Sequence, residues 1–355
     1  MSKRLTRRDF LKAGALGIAG TLGIAASTRL AGVSAPPAAG HQHGGPGGDG
    51  PHGMTMPVGE VDHVRNGFNP SQILTDFDTG TVSRLAGGQT LREYWIVAHN
   101  KTVEVMPGID FPAWTYASTG PGWHNPIGRI PGPTFRASEG DRVRIHFFNG
   151  SDHPHTIHFH GIHTAEMDGV PGAGPGLIEP GQDFTYEFDA YPFGLHLYHC
   201  HAFPLARHIA KGLYGAFIID PAQGRPPVDH EFVMVMAGYD VDFDDANDFY
   251  HVNGIPFHFQ LNPIQIGVNE KVRIYLVNTL EFDLVNSFHL HANFFDHYPT
   301  GTQLTPRDYT DTIIQGQAER AILEFSYKYP GIYMFHAHVT EFAELGWAGH
   351  FEVLA

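Results

Sequence analysis

From residue 61 onward, apolar residues come in short runs that either alternate with polar ones or continue unbroken for a few positions. Residues 91–97, 142–148, 184–188 and 215–219 read this way, and so do 232–236, 271–277, 320–325 and 331–335. A period of two, or a short continuous apolar run, is the mark of strands that bury one face or both; the 3.6-residue period of an amphipathic helix is scarce. Turn residues punctuate the runs, as in Pro131-Gly132-Pro133, Glu139-Gly140-Asp141 and Pro180-Gly181-Gln182. The pattern predicts an all-β chain.

The runs form two sets divided by the turn-rich stretch 220–227, and the sets repeat one another. Residues 139–149 parallel 268–278, His158-Phe159-His160 parallels His289-Leu290-His291, and 194–201 parallels 331–338. Each half, at roughly 120–160 residues, is the size of one β-sandwich domain. The expected division is a first domain over 61–222 and a second over 228–355.

Composition changes the picture at the N-terminus. Arg7-Arg8 precedes a short run of small apolar residues from Ala13 to Ala26, and Val33-Ser34-Ala35 suits cleavage by a signal peptidase. Residues 1–35 are expected to be a twin-arginine export signal, too short and glycine-rich for a stable membrane span. Export to the periplasm or the extracellular space follows. Residues 36–60 form a glycine-rich tether in which His41, His43, His52, Met54 and Met56 offer a loose copper-collecting set. The formal net charge of −15 becomes about −20 once six basic residues and one acid leave with the signal, which argues against nucleic acid as a partner.

The candidate chemistry lies in the histidines. There are 25 of them, against a single cysteine, Cys200, which therefore has no partner for an intrachain disulfide. Four His-x-His pairs stand in matched positions of the repeat: His158/His160, His199/His201, His289/His291 and His336/His338. In a strand, i and i+2 share a face, so each pair offers two imidazoles to one point. Imidazole suits copper, zinc, iron or nickel; two imidazoles with a thiolate suit a blue-copper centre. Cys200, between His199 and His201, points to the opposite face from both. His155, three residues before His158, shares the parity of Cys200 if the strand is continuous. His208 follows across a loop and Leu213 five residues later, so His155, Cys200 and His208 form the expected trigonal set, with Leu213 in the axial position. In the second half the corresponding residues are expected to be Asn286, Ala337 and Leu345, which make no such set.

These motifs resemble the multicopper oxidases, in their two-domain, laccase-like branch with the blue copper in the first domain. The resemblance runs from Pro131-Gly132-Pro133-Thr134-Phe135 through His-Cys-His201 to His-Ala-His338, nearly the whole mature chain. It implies two tandem cupredoxin-like Greek-key β-sandwiches and four coppers per chain: one type 1, one type 2 and a type 3 pair. By the same resemblance His158 and His289 hold the type 2 copper, and His160, His199, His201, His291, His336 and His338 hold the type 3 pair. It further implies a homotrimer in which the first domain of one subunit meets the second domain of its neighbour. Asp168, in Met167-Asp168-Gly169, matches a family position beside the type 2 site and is the expected proton donor, with Glu341 as a second candidate.

The implied activity is one-electron oxidation of a phenolic, aromatic amine or metal-ion donor, coupled to four-electron reduction of dioxygen to water. Electrons are expected to enter through an exposed edge of His208 and pass along Cys200 to its flanking histidines. Eight methionines and no methionine-rich insertion favour an organic donor over a cuprous ion. Two alternatives stay open. The long spacer between Cys200 and His208 resembles the copper nitrite reductases, although these carry an aspartate where His158 stands. A copper-binding electron carrier would need only His155, Cys200 and His208.

Overall fold

The computed structural model describes residues 58–355; the expected signal and most of the His/Gly/Met tether, with His41, His43, His52, Met54 and Met56, lie outside the described residues. The described chain is built from strands, with a few short helical turns at connections. No helix among the described residues is long and apolar enough to cross a membrane.

Residues 77–220 make two facing sheets. In one, Gly194–His199 pairs antiparallel with Tyr214–Asp220 on one side and with His158–Phe159 on the other. Thr134–Ser138 then runs parallel to Tyr214–Asp220. In the other, Arg142–Asn149 lies between Thr90–Met106, parallel, and Asp183–Asp189, antiparallel. The alternating burial of Arg142–Asn149 turns Val143, Ile145 and Phe147 inward. They meet Tyr94, Phe135, Phe159, Tyr198 and Phe217, all essentially inaccessible.

Residues 230–354 repeat the plan. Gly331–His336 pairs antiparallel with Ala348–Leu354 and with Val285–Leu290, while His230–Tyr239 runs parallel to Val272–Asn278. The register repeats as well: His158 lies opposite His199 in the first half, and His289 opposite His336 in the second. Pairing of equivalent histidines is thus a backbone property of the repeat.

The two halves share a third core. Leu195, Leu197, Ala216 and Ile218 of the first half pack with Val233, Val235, Tyr275 and Val277 of the second. Gly194–His199 is therefore buried on both faces, which explains its nearly continuous apolar sequence. Tyr198 and Cys200 face their own sandwich; Leu195 and Leu197 face the shared core.

Two features departed from the sequence pattern. The strand expected at 91–97 extends over Thr90–Met106 and folds back on Ile109–Thr119 as a long hairpin. Residues 58–76, which carry no strand signal, wrap onto the rest of the molecule: Ile73 enters the shared core, and Leu74 enters the core of the second half. Asp62 and Asn69 cap two helical turns there through their side chains.

Phe217 touches the rings of Tyr94, Phe135, Phe159 and Phe188 at the centre of the first sandwich. Phe217→Ala is expected to cost about 3–5 kcal/mol in chemical denaturation; a loss below about 1 kcal/mol would show that this core relaxes around the deletion.

Candidate metal centres

The first donor set lies inside the first sandwich. Cys200 Sγ is 3.7 Å from His155 Nδ1 and 3.3 Å from His208 Nδ1, and the two ring nitrogens are 3.2 Å apart. All three residues are buried. The assembly differs from the simple parity argument in one respect. The chain from His155 to His160 is not a continuous strand: His155 bridges Ile178, and only His158–Phe159 joins the sheet beside Gly194–His199. His155 reaches Cys200 because the chain switches partners between these points. His208 comes from the helical turn Leu205–Ala210. Leu213, fully buried in the same core as Cys200, accepts the Cys200 N–H through its carbonyl oxygen at 3.0 Å.

One expectation about this set fails. His208 has no exposed edge: it is only 3% accessible. Trp114, from the unforeseen hairpin, covers it with ring centroids 4.6 Å apart, and Lys211 sits 4.8 Å over the same indole. The hairpin that the sequence pattern underestimated is what closes the site.

The second donor set faces the other way. His160 Nε2 and His199 Nε2 are 2.8 Å apart, with His158 and His201 ring-packed beside them. His199 Nδ1–H donates to the Cys200 carbonyl at 2.8 Å, which leaves the lone pair on Nε2. The second half holds a matching set. His291 Nε2 and His336 Nε2 are 3.0 Å apart, and His336 Nδ1–H donates to the Ala337 carbonyl at 2.7 Å. His289 and His338 complete it. Among the described residues, no ring contact joins one four-histidine set to the other, and His291 and His338 are exposed.

Asp168 accepts a hydrogen bond from His158 Nδ1 at 2.8 Å and lies 3.8 Å from His163 Nε2. The carboxylate thereby turns His158 Nε2 toward the other rings. The equivalent nitrogen of the second half, His289 Nδ1, bonds instead to the Asp311 carbonyl and Thr312 Oγ1. Glu341 lies in the first turn of the helix Thr340–Glu344.

Comparison with known proteins now decides the family. Profiles described as multicopper oxidase match residues 126–224 and 226–355. A crystal structure of a multicopper oxidase is 60% identical, covering 83% of this chain and all of that one, with a TM-score of 0.79. The chain belongs to the multicopper oxidase family. Relatives of two kinds surround it. A copper-containing nitrite reductase of Neisseria meningitidis is 31% identical over 67% of this chain and 63% of its own length. Laccase-2 of Botryotinia fuckeliana is 37% identical over 36% of this chain and 20% of its own. The chain thus spans less than two thirds of either curated relative.

The donor sets of this multicopper oxidase fit copper. Burial pushes the Cys200 thiol up to about 11, so a thiolate forms there only beside a strong positive charge. Burial, reinforced by the neighbouring histidines, pushes His155 and His160 down to about 3. His199 and His208 are pushed down to about 4, again mainly by burial. Uncharged imidazoles and a masked thiolate are the soft, neutral-to-anionic donors that copper takes.

In the second half of this multicopper oxidase the first donor set is replaced by packing. Ala337 N–H donates to the Trp347 carbonyl as Cys200 N–H donates to that of Leu213. Tyr214 lies opposite His199 and Ala348 opposite His336, so Trp347, not Leu345, occupies the position of Leu213. By the same helix-to-glycine spacing Phe342 stands where His208 stands, stacked on Tyr250 at 3.9 Å. Trp347 Nε1–H donates to Asn286 Oδ1 at 3.1 Å. An indole, a phenyl ring and an amide fill the space where the other half gathers a thiol and two imidazoles.

Four participants escaped the sequence. Trp114 and His163 carry no spacing signal. Thr156 and Ser287 had one: the residue before Ile157 and the residue before Phe288 are both hydroxylic in the repeat. Thr156 Oγ1 accepts from His201 N–H at 2.9 Å, and Ser287 Oγ from His338 N–H at 2.7 Å. Each ties the far end of a His-x-His pair to the segment beside it.

The lowered histidine values set a sign for acid sensitivity. In the unfolded chain these rings take protons near 6.5, whereas His155, His160, His199 and His208 stay neutral in the fold down to about 3 or 4. Their contribution to stability is full above 6.5 and is lost as pH falls through the folded values. Urea midpoints of metal-free protein are expected to fall steadily as pH drops from about 6.5 toward 4. A flat profile over that interval would mean that the rings protonate inside the fold.

Proposed function

We propose that this multicopper oxidase is laccase-like, coupling one-electron oxidation of a small organic or metal-ion donor to four-electron reduction of dioxygen to water. The observation that carries the electron path of this reading is the strand Gly194–His199 and its extension, while the matched four-histidine sets of the two halves carry the choice of dioxygen. Cys200 turns into one donor set while His199 turns into another, and the backbone joins them covalently. Copper, when bound, supplies the one-electron redox steps and the binding of dioxygen.

In this proposal His155, Cys200 and His208 hold a type 1 copper against Leu213. His158 with His289 holds a type 2 copper, and the remaining six histidines hold a type 3 pair, giving four coppers per chain. Among the described residues, no ring contact joins the two four-histidine sets that each chain presents. A homotrimer that brings the first set of one copy against the second set of the next completes the cluster. Exposed apolar residues beside His289 and His291, Phe294 and Tyr309, support burial against a neighbour. Trp114, over His208, is the first ring an electron donor would meet. Export by the twin-arginine route, suggested by Arg7-Arg8, suits assembly of the cofactor before translocation.

Asp168 orients His158 through Nδ1 and is partly open to solvent, so it can hold a proton beside the second donor set. The nitrite-reductase relatives favour a second reading, reduction of nitrite at a single additional copper. The complete duplicate His-x-His arrangement supports the dioxygen reading over it.

Copper per chain, measured with low-temperature electron paramagnetic resonance on copper-loaded full-length protein, separates the two. Four coppers, two of them paramagnetic, are expected; two coppers, both paramagnetic, would overturn the dioxygen reading. Asp168→Asn is expected to slow dioxygen uptake roughly tenfold to hundredfold with the thiolate absorption band unchanged. Wild-type uptake in that variant would remove Asp168 from the reaction.

A further inference from the structure

We propose that Glu60, His63 and His258 form a further binding site for a divalent first-row cation of the zinc class, which ties the N-terminal segment to the second half of the molecule. The site shares no residue with the donor sets described above. One ligand atom from each of the three side chains lies within 4.8 Å of the other two. The His63 and His258 rings pack edge to face, with centroids 5.1 Å apart.

The decisive feature is the number of ring nitrogens without a hydrogen-bond partner. Both nitrogens of His63 and Nδ1 of His258 are shielded from solvent and make no hydrogen bond among the described residues. His258 is only 3% accessible. Buried polar atoms are ordinarily satisfied, and three orphans on two touching imidazoles require an explanation that packing alone does not provide. A cation shared by the two rings supplies one.

The surroundings prepare these groups for that role. Ser71 Oγ lies 2.8 Å from His258 Nε2. With Nε2–H donating to Ser71, the lone pair of His258 falls on the orphan Nδ1, the usual arrangement of a ligating histidine held by an outer partner. Burial, with His63 close by, pushes His258 down to about 3, so the ring is neutral and ready to ligate. Glu60 is held from two sides. Asn262 Nδ2 donates to its Oε1 at 2.8 Å, and its Oε2 is 3.7 Å from His63 Nε2. Two imidazoles and a carboxylate are the three-ligand set that zinc accepts, with a fourth position left for water.

The placement says what such an ion would do. Glu60 and His63 lie at the start of the described chain, around the turn His63–Asn66, while His258 opens the turn His258–Leu261 of the second half. A shared cation joining residues 60 and 63 to residue 258 closes a loop of about two thirds of the described chain, at a point where the other ties include a few hydrogen bonds and the packing of Val61, Phe68, Ile73 and Leu74.

The test uses full-length, copper-loaded protein and zinc ion alone as the probe. Crystals soaked in zinc and measured at its absorption edge are expected to show a peak bounded by Glu60, His63 and His258. The peak should vanish in Glu60→Gln and His63→Ala, whose side chains are partly exposed and whose loss leaves the cores intact. Ser71→Ala is expected to weaken zinc binding in solution roughly tenfold to hundredfold. Zinc should raise the thermal midpoint of the parent protein but not that of His63→Ala. Absence of the peak at saturating zinc overturns the proposal, including the case in which zinc binds only to the histidine-rich stretch 41–56. Persistence of the peak in His63→Ala overturns it as well.

Discussion

Everything in this molecule that bears on copper depends on the two-residue alternation of one strand that is buried on both faces. Gly194–His199 and the two residues after it cannot slip by one position without exchanging Cys200 for a histidine in the first core. Such a slip would also lift Leu195 and Leu197 out of the core shared by the two halves. The apolar register and the donor register are therefore the same register. The packing that stabilises the fold also keeps the thiol and the neighbouring imidazoles on opposite sides of one backbone.

The second half shows the same scaffold without the first donor set. Its histidine pairs keep their partners across the sheet, their carbonyl contacts and the hydroxyl that supports the far imidazole. What differs is the inside of the sandwich. There Trp347, Phe342 and Ala337 fill volume, and Asn286 gives the indole N–H its acceptor. A fully buried thiol with two neutral imidazoles is costly to maintain unless a cation stabilises the thiolate. A filled apolar core carries no such requirement. The face that points away from the core is under a different constraint: in the proposed cluster its four histidines act only when a second set meets them.

The relatives mirror this division. Resemblance to the nitrite reductases covers a large share of the chain, whereas resemblance to the fungal laccase is confined to about a third of it. Two sandwiches with a buried thiolate site are compatible with both chemistries. The distinction rests on the outward-facing histidines and, in the proposed assembly, on how many of them meet.

Much of this was legible in the chain itself. The period of two, the internal repeat, the four His-x-His pairs and the lone Cys200 are local patterns, and strand geometry converts them directly into faces. His155 and His208 were legible as companions of Cys200, although the continuous strand that motivated His155 is broken by a switch of pairing partners. Tertiary structure alone decided the rest. The hairpin Thr90–Met106 and Ile109–Thr119 is interrupted by polar residues such as Asn100 and Lys101, so its length depends on cross-strand pairing and not on local apolarity. Its Trp114 buries His208, against the expectation of an exposed edge. Trp347 takes the place of Leu213 because backbone hydrogen bonds, not residue spacing, define equivalence across a loop of different composition. Glu60, His63 and His258 meet only because the first described segment folds back on the second half. Local alternation decides which face a side chain takes; which distant side chain it finds there is settled by packing.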